Sequence, residues 1–382
     1  MTQVLKALVL LAVTALVLVG CSSSSPSSGS APSAVPFGSP TPSANPADSK
    51  AANLRTQLDL LFEEHVMVVA KQATAASNHT DEYPGYATLL TTNANALVDL
   101  VRSAFGNSAA SQFEHAWAVQ NGYLVDYTIG LVTHNDNKSN GAMSGLISGF
   151  VPQFAQLIAS LMQLPPDSIT QLETVQLTDD KTMIDDEIAQ SYSKLYADLR
   201  AAYAGSAQIG DMLAIRMAQQ FPDKFPGDPT SNAVEARVSL NGLLQEDSYL
   251  TTMTSDAVTG GRAAESAAAL SAMASTRGEL GTVFSYVLGP DIGPRIAQLW
   301  GTRDTDAFEY ASAGDAAAQQ RLTGSFVSQF AGLSSAPADV IRSQVVATIK
   351  VLDDQRAKAL QKVAGDDRAA ATAMQAVASW ID

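Results

Sequence analysis

The second half of this chain repeats the first half, and this repetition constrains the fold more than any other feature. Residues 105–127 align without gaps to residues 288–310, which lie 183 positions later. Two further blocks match in the same order: Arg55, Leu58, Leu61 and Glu64 with Arg237, Leu240, Leu243 and Glu246, and residues 150–157 with residues 326–333. Three blocks in one order indicate an internal duplication, so both units are expected to share one fold.

The boundary between the two units is a stretch of helix-breaking residues. Residues 221–232 contain three prolines and a glycine among Asp, Ser, Thr and Asn, a composition typical of a connecting loop. We therefore assign residues 51–220 to the first unit, residues 221–232 to a linker and residues 233–382 to the second unit.

Apolar residues recur at spacings of three and four through most of the first unit, which predicts amphipathic helices. The predicted helices cover residues 53–75, 84–104, 110–133, 142–162, 167–190 and 192–219. Asp48 and Ser49 are both positioned to cap the first helix, and Pro165-Pro166 separates two others. No stretch alternates with a period of two over a useful length. The expected fold is all-α, with two tandem antiparallel helical bundles.

The N-terminus has the pattern of a lipoprotein export signal. Lys6 is followed by the apolar stretch 7–19, which is shorter than the about 20 residues that span a bilayer. The stretch ends in Leu18-Val19-Gly20-Cys21, which resembles a bacterial lipobox. This resemblance implies that residues 1–20 are removed and that Cys21 carries diacylglycerol and palmitate. We expect the protein on the extracytoplasmic face of the cell membrane, anchored by this lipid.

Composition limits what the mature protein can contact. Residues 21–50 are rich in Ser, Pro and Ala, which predicts a flexible tether. Cys21 is the only cysteine, so no internal disulfide can form. The chain has 23 basic and 38 acidic residues, and without Lys6 the net charge is −16. This charge argues against binding to nucleic acid, and it leaves the lipid as the expected membrane contact.

Both units interrupt the apolar stripe of the first helix with an ionisable residue. The stripe of the first unit includes Leu58 and Leu61 and then reaches His65, while Asp247 occupies the same register in the second unit. The spacing places both side chains on the face expected to be buried.

Two further helices carry polar residues at equivalent positions of their stripes. These pairs are Gln120 with Arg303 and Asn93 with Thr276, so each bundle is predicted to hold a buried polar layer: His65, Asn93 and Gln120 in one, Asp247, Thr276 and Arg303 in the other. Because an unpaired buried charge is costly, we expect an Asp247–Arg303 ion pair and a contact between His65 and Gln120. The layer could either fix helix register or form a ligand site, and the sequence leaves both interpretations open.

Two segments resemble a family of exported bacterial helical-repeat proteins, sometimes labelled copper amine oxidase N-terminal-like. The segments are Leu61-x-x-Glu64-His65 and Trp117-x-x-Gln120-x-x-Tyr123-x-Val125-Asp126-Tyr127-Thr128. The resemblance implies metal binding by two facing histidines in the relatives. This chain keeps His65 but has Gln120 in the second position, and its second unit has neither histidine.

Three functions follow from these observations. The favoured one is a non-enzymatic lipoprotein that binds a protein partner or a small ligand, or has a structural role in the envelope. The alternative is binding of copper or another divalent metal at His65, with Met67 nearby. A hydrolase is the third, although no nucleophile and base can be paired from known motifs.

Overall fold

The protein is all-α, as the apolar spacing predicted. The computed structural model describes residues 45–381, and within this range it contains helices and no strands. The export signal 1–20, Cys21 and most of the predicted tether 21–50 lie outside the described residues. The last residues of that predicted tether belong to the helical body, because Pro46–Asp48 form a 3-10 turn in which Ala47 is buried.

The helices of the two repeat units follow one order. The first unit contains α1 (Lys50–Ser77), α2 (Tyr83–Phe105), α3 (Asn107–Val132), α4 (Asp136–Ser144), α5 (Val151–Met162), α6 (Pro166–Ile188) and α7 (Tyr192–Gln220). The second contains α8 (Asn232–Thr259), α9 (Ala263–Leu288), α10 (Gly293–Ala313), α11 (Ala316–Gln320), α12 (Val327–Ser334), α13 (Ala338–Arg356) and α14 (Leu360–Ala378).

Local details also recur at equivalent places. The π-helical segments Gly145–Phe150 and Arg321–Phe326 separate α4 from α5 and α11 from α12. The Ser49 hydroxyl accepts a hydrogen bond from Ala52 N at 3.1 Å, and the Ser231 hydroxyl accepts one from Val234 N at 3.4 Å. Both serines therefore act as N-caps that satisfy otherwise free backbone donors of α1 and α8.

Helices α1 and α8 lie at the centre of the body. Helix α1 packs against α2, α6, α7 and α8, and α8 packs against α9, α10, α13 and α14. Both are buried around nearly their whole circumference rather than along one face. Residues 44–382 form one compact unit, in which the two central helices contact each other. Polar side chains on several faces of α1, and of α8 from Leu240 onwards, are consequently removed from water.

An aromatic cluster fills the core beside α1 in the first unit and beside α8 in the second. Trp117 packs 5.5 Å from Phe62, measured between ring centroids, and Trp300 packs 5.2 Å from Phe330.

The stretch Asp136–Met162 is long and apolar enough to cross a membrane by composition alone, with a mean hydropathy of 1.4. Most of its large apolar side chains, including Leu146 and Phe154, are buried inside the body, while Ile147 is 40% exposed.

Candidate functional site

All six residues of the predicted polar layer are buried, and two of them form the predicted ion pair. Arg303 Nη1 donates to Asp247 Oδ2 at 2.7 Å and to Asp304 Oδ1 at 3.2 Å. The Asp247–Arg303 pair is therefore confirmed. Burial raises the pKa of Asp247, and the charge of Arg303 opposes this rise. Burial and the charge of Asp247 raise the pKa of Asp304 to about 7.

The predicted contact between His65 and Gln120 is wrong. His65 Nε2 lies 2.8 Å from Asn121 Oδ1, and Asn121 occupies the position equivalent to Asp304. Gln120 is buried, and its Oε1 atom has no hydrogen-bond partner within residues 45–381. Arginine carries its donors farther from the backbone than glutamine does, so Arg303 covers a distance that Gln120 does not.

His65 is held as a neutral ring. Burial lowers the pKa of His65 to about 4, and the Asn121 carbonyl oxygen requires the proton on Nε2. The ring packs 5.1 Å from that of Trp117. Within residues 45–381, no three His, Cys, Asp or Glu side chains are arranged to hold a metal ion. Metal binding at His65 stays a prediction.

Asn93 and Thr276 do not join His65 and Asp247 but contact buried glutamates on the central helices. Asn93 Nδ2 donates to Glu64 Oε2 at 2.8 Å, and the Thr276 hydroxyl donates to Glu246 Oε2 at 2.8 Å. The polar residues of each unit therefore divide into two clusters. The second cluster of each unit lies at the edge of a groove.

The first of these grooves, named the Arg368 groove, lies between α1, α2, α8 and α14. Arg368 Nε is 3.1 Å from Glu64 Oε1, and the Tyr249 hydroxyl donates to the same oxygen at 3.0 Å. Gln245, Leu60 and Asp99 also line this groove, which has a volume of about 390 Å³.

The second groove, named the Arg200 groove, lies between α1, α7, α8 and α9. Arg200 Nε donates to Glu246 Oε1 at 2.9 Å, and Arg200 Nη2 donates to Glu279 Oε2 at 2.9 Å. This groove has a volume of about 450 Å³ and is also lined by Asp59 and Glu63.

The two grooves correspond position by position. Arg200 and Arg368 are the ninth residues of α7 and α14, and Glu246 and Glu64 match in the repeat. The remaining correspondences between the Arg368 and Arg200 grooves include Gln245 with Glu63, Leu60 with Gly242, Leu61 with Leu243, Ala96 with Glu279 and Leu100 with Val283. In both grooves, the arginine comes from the repeat unit that does not supply its glutamate. Each unit therefore completes the groove of the other.

The Arg200 groove differs in its buried carboxyl groups. Glu63 is 7% exposed, and its Oε2 atom has no hydrogen-bond partner in the described part of the chain. Burial, together with the charge of Glu246, raises the pKa of Glu63 well above its usual range. Burial and the charges of Asp211 and Glu63 raise the pKa of Asp59 to about 10. At a pKa of about 10, the Asp59 carboxyl group holds a proton at neutral pH.

The sequence analysis did not identify the groove residues. Glu64 and Glu246 lie in matching blocks of the repeat, which was a usable signal, because a glutamate kept in both copies of a central helix needs a partner. Asp59 and Glu63 fall off the apolar stripe of α1, so the spacing of apolar residues did not select them. Arg200 and Arg368 lie outside the matching blocks, so nothing in the sequence connected them to the glutamates.

Comparisons of the chain with protein-family models, with curated proteins and with solved structures find no match. The resemblance to exported helical-repeat proteins therefore stays a prediction.

Proposed function

We propose that the protein is a lipid-anchored, non-enzymatic binding protein on the extracytoplasmic face of the cell membrane, and that its Arg200 groove holds a small ligand. The observation that carries this proposal is the carboxyl group of Glu63, which is buried at the groove with one oxygen lacking a partner. A buried polar atom without a partner costs about 1–3 kcal/mol, and a ligand that supplies the partner recovers this free energy.

The dimensions and composition of the groove support ligand binding. Its volume of about 450 Å³ falls within the range typical of small-molecule sites. Apolar residues such as Leu243 and Val283 lie beside the polar ones.

The anchoring part of the proposal rests on residues 18–21 and is tested in cells. Wild-type protein is expected to incorporate a labelled palmitate analogue and to sediment with membranes. Cys21→Ala is expected to lose the label and to leave the membrane fraction. Labelling that persists in Cys21→Ala would contradict lipid attachment at this cysteine.

The binding part is tested by native mass spectrometry of protein purified from membranes. A side chain at Gly242 would enter the groove, because a Cβ atom there would lie 2.9 Å from Glu63 Oε1. Wild-type protein is expected to carry a bound mass that Gly242→Leu lacks. Gly332→Leu is the control, since a Cβ atom there meets nothing within 4 Å. Identical spectra for all three proteins would refute ligand binding in this groove.

A further inference from the structure

Carboxyl groups outnumber arginines in the Arg200 groove. Six carboxyl groups and two arginines line it: Asp59, Glu63, Asp211, Glu235, Glu246 and Glu279 with Arg55 and Arg200. The two arginines are shared among four carboxylates. Arg200 pairs with Glu246 and Glu279, and Arg55 pairs with Asp211 and with Glu235, the latter at 2.6 Å.

Neither Asp59 nor Glu63 has a cationic group within hydrogen-bonding distance among the described residues. They are four residues apart on α1 and therefore project from the same side of the helix. Arg55 Nε is 3.9 Å from Asp59 Oδ2, which is beyond hydrogen-bonding distance, and neither Asp59 oxygen has a hydrogen-bond partner within the described residues. The hydroxyl of Tyr203, which also lines the groove, donates to Gly242 O at 2.8 Å and accepts from Gln245 Nε2. This hydroxyl is thus already engaged.

Two glycines make room for these carboxyl groups. A Cβ atom at Gly210 would lie 2.3 Å from Asp59 Oδ1, and one at Gly242 would lie 2.9 Å from Glu63 Oε1. In the Arg368 groove, Leu60 replaces Gly242 and Gln245 replaces Glu63. The space and the acidic side chain therefore occur together in one groove and are both missing from its counterpart.

The rest of the lining indicates an organic cation. Apolar side chains stand beside the carboxyl groups: Val238, Leu243, Val283, Ala204 and Ala207. The volume of about 450 Å³ is that of a small-molecule site and far exceeds a single ion. An alkyl chain can bury itself against such a wall, while an ammonium group supplies the hydrogen-bond donors that the carboxyl oxygens lack.

We propose, as a refinement that rests on the proposed binding function, that the Arg200 groove takes a small aliphatic amine whose ammonium groups meet Asp59 and Glu63. The carbon chain of the amine lies along the apolar wall. A diamine with a short carbon chain matches two carboxyl groups placed one helical turn apart.

Proton release should accompany binding. Asp59 holds a proton in the empty groove, and burial raises the pKa of Glu63 as well, so an incoming ammonium favours the ionised forms of both groups. The charged and titratable groups around them are Arg55 on α1, Arg200, Tyr203 and Asp211 on α7, Glu235 and Glu246 on α8, and Glu279 on α9. The arginines are already paired with carboxylates, so they do not replace the ammonium.

The test is isothermal titration calorimetry of 1,4-diaminobutane into the full-length protein in detergent. Runs at pH 8 in Tris and in phosphate, whose ionisation enthalpies differ, count the protons released. Wild-type protein is expected to bind and to release at least one proton. Glu63→Gln is expected to weaken binding at least about tenfold, because a charged hydrogen bond is lost. Glu63→Gln introduces the side chain that Gln245 has at the equivalent position of the Arg368 groove. Asp59→Asn removes the second carboxyl group and tests its contribution to binding.

Glu173→Gln is the matched control, because Glu173 is also a buried carboxyl group with an unpartnered oxygen but lies on α6, away from the groove. It should bind the diamine as wild-type protein does. The inference is overturned if wild-type protein does not bind 1,4-diaminobutane, or if Glu63→Gln and Asp59→Asn bind it unchanged. Equal binding of butyrate or butan-1-ol that Gly242→Leu abolishes would overturn the amine while leaving the proposed binding function intact.

Discussion

The two repeat units surround the same central helices with different chemistry. In the first unit, His65 meets Asn121, and both groups are uncharged at neutral pH. In the second unit, Asp247 and Asp304 occupy the equivalent positions and hold Arg303 between them. The grooves differ as well: Gln245 lines the Arg368 groove where Glu63 lines the Arg200 groove.

These differences show that one backbone arrangement accepts either neutral or charged interiors, provided that each position changes together with its neighbours. Arg303 is paired with two carboxyl groups, whereas in the first unit His65 meets Asn121 and Gln120 Oε1 has no hydrogen-bond partner within residues 45–381. Glu63 is accompanied by Gly242, which leaves space for it. Four predictions test how strongly equivalent positions of the two units differ in their contribution to the free energy of unfolding. They are given from the largest expected effect to the smallest.

The largest effect on stability is expected at the buried cluster of Asp247, Arg303 and Asp304. Asp247→Ala leaves Arg303 buried without its main partner and should lower the free energy of unfolding by about 3–5 kcal/mol. The double variant Asp247→Leu, Arg303→Met removes both charges and should recover much of this loss. Urea denaturation at pH 7 measures both. A silent Asp247→Ala would mean that the ion pair has no structural role.

The second-largest effect on stability is expected at Asp59, in the Arg200 groove, and depends on pH. The folded protein raises the pKa of Asp59 from 3.8 to about 10, so it holds this proton more tightly than the unfolded chain does. The resulting stabilisation is complete below pH 3.8 and is lost as the pH rises toward 10. The free energy of unfolding of Asp59→Asn should therefore rise relative to that of wild-type protein by about 2–3 kcal/mol between pH 5 and pH 8.5.

The control for this comparison is Asp99→Asn in the Arg368 groove, where the side chain of Asp99 is 69% exposed. Its free energy of unfolding should stay within about 0.5 kcal/mol of wild type at both pH values. Urea midpoints at pH 5 and pH 8.5 give the comparison. Equal pH dependence in wild type and Asp59→Asn would show that Asp59 ionises normally.

A smaller effect is expected at His65, where stability is lost as the pH falls and not as it rises. The pKa of His65 is lowered from 6.5 to about 4, so the unfolded chain binds this proton more tightly, and wild-type protein loses stability as the pH falls from 6.5 to 4. His65→Gln should remove about 1–2 kcal/mol of the loss between pH 7 and pH 5. His115→Gln, at an exposed histidine, should leave the loss unchanged.

The smallest effect concerns the two helix caps. Ser49→Ala and Ser231→Ala should each destabilise the protein by about 0.5–1 kcal/mol. Ser49→Ala should have the larger effect, because its hydrogen bond is 3.1 Å long against 3.4 Å at Ser231. Thermal melting of both variants measures the difference, and Ser→Asp at either position should retain most of the stability. A larger loss at Ser231 would reverse the order.

The sequence predicted the helices, their order and the burial of six polar residues, because each of these follows from spacing along one helix. The Asp247–Arg303 pair was predictable for a further reason, since a buried charge requires a partner and only one was available in register. The contact of His65 was missed by one residue. A single position turns a side chain by about 100° around a helix, which is finer than a stripe of apolar residues can resolve.

The grooves could not be predicted, because their residues become neighbours only when the two units pack together. A stripe marks one face of a helix, whereas α1 and α8 are enclosed on every side. The stripe therefore did not mark Asp59 and Glu63 as buried. Arg200 lies 46 residues from Glu246 along the chain, and no local pattern connects them.

The exchange of arginines between the units has an evolutionary consequence. A two-fold homodimer of one unit would carry both grooves at its interface, and any substitution would alter the two at once. Two such units in one polypeptide escape that restriction, since position 63 can carry a carboxyl group while position 245 carries an amide. A fused chain can thus specialise one groove and retain the other as a structural copy.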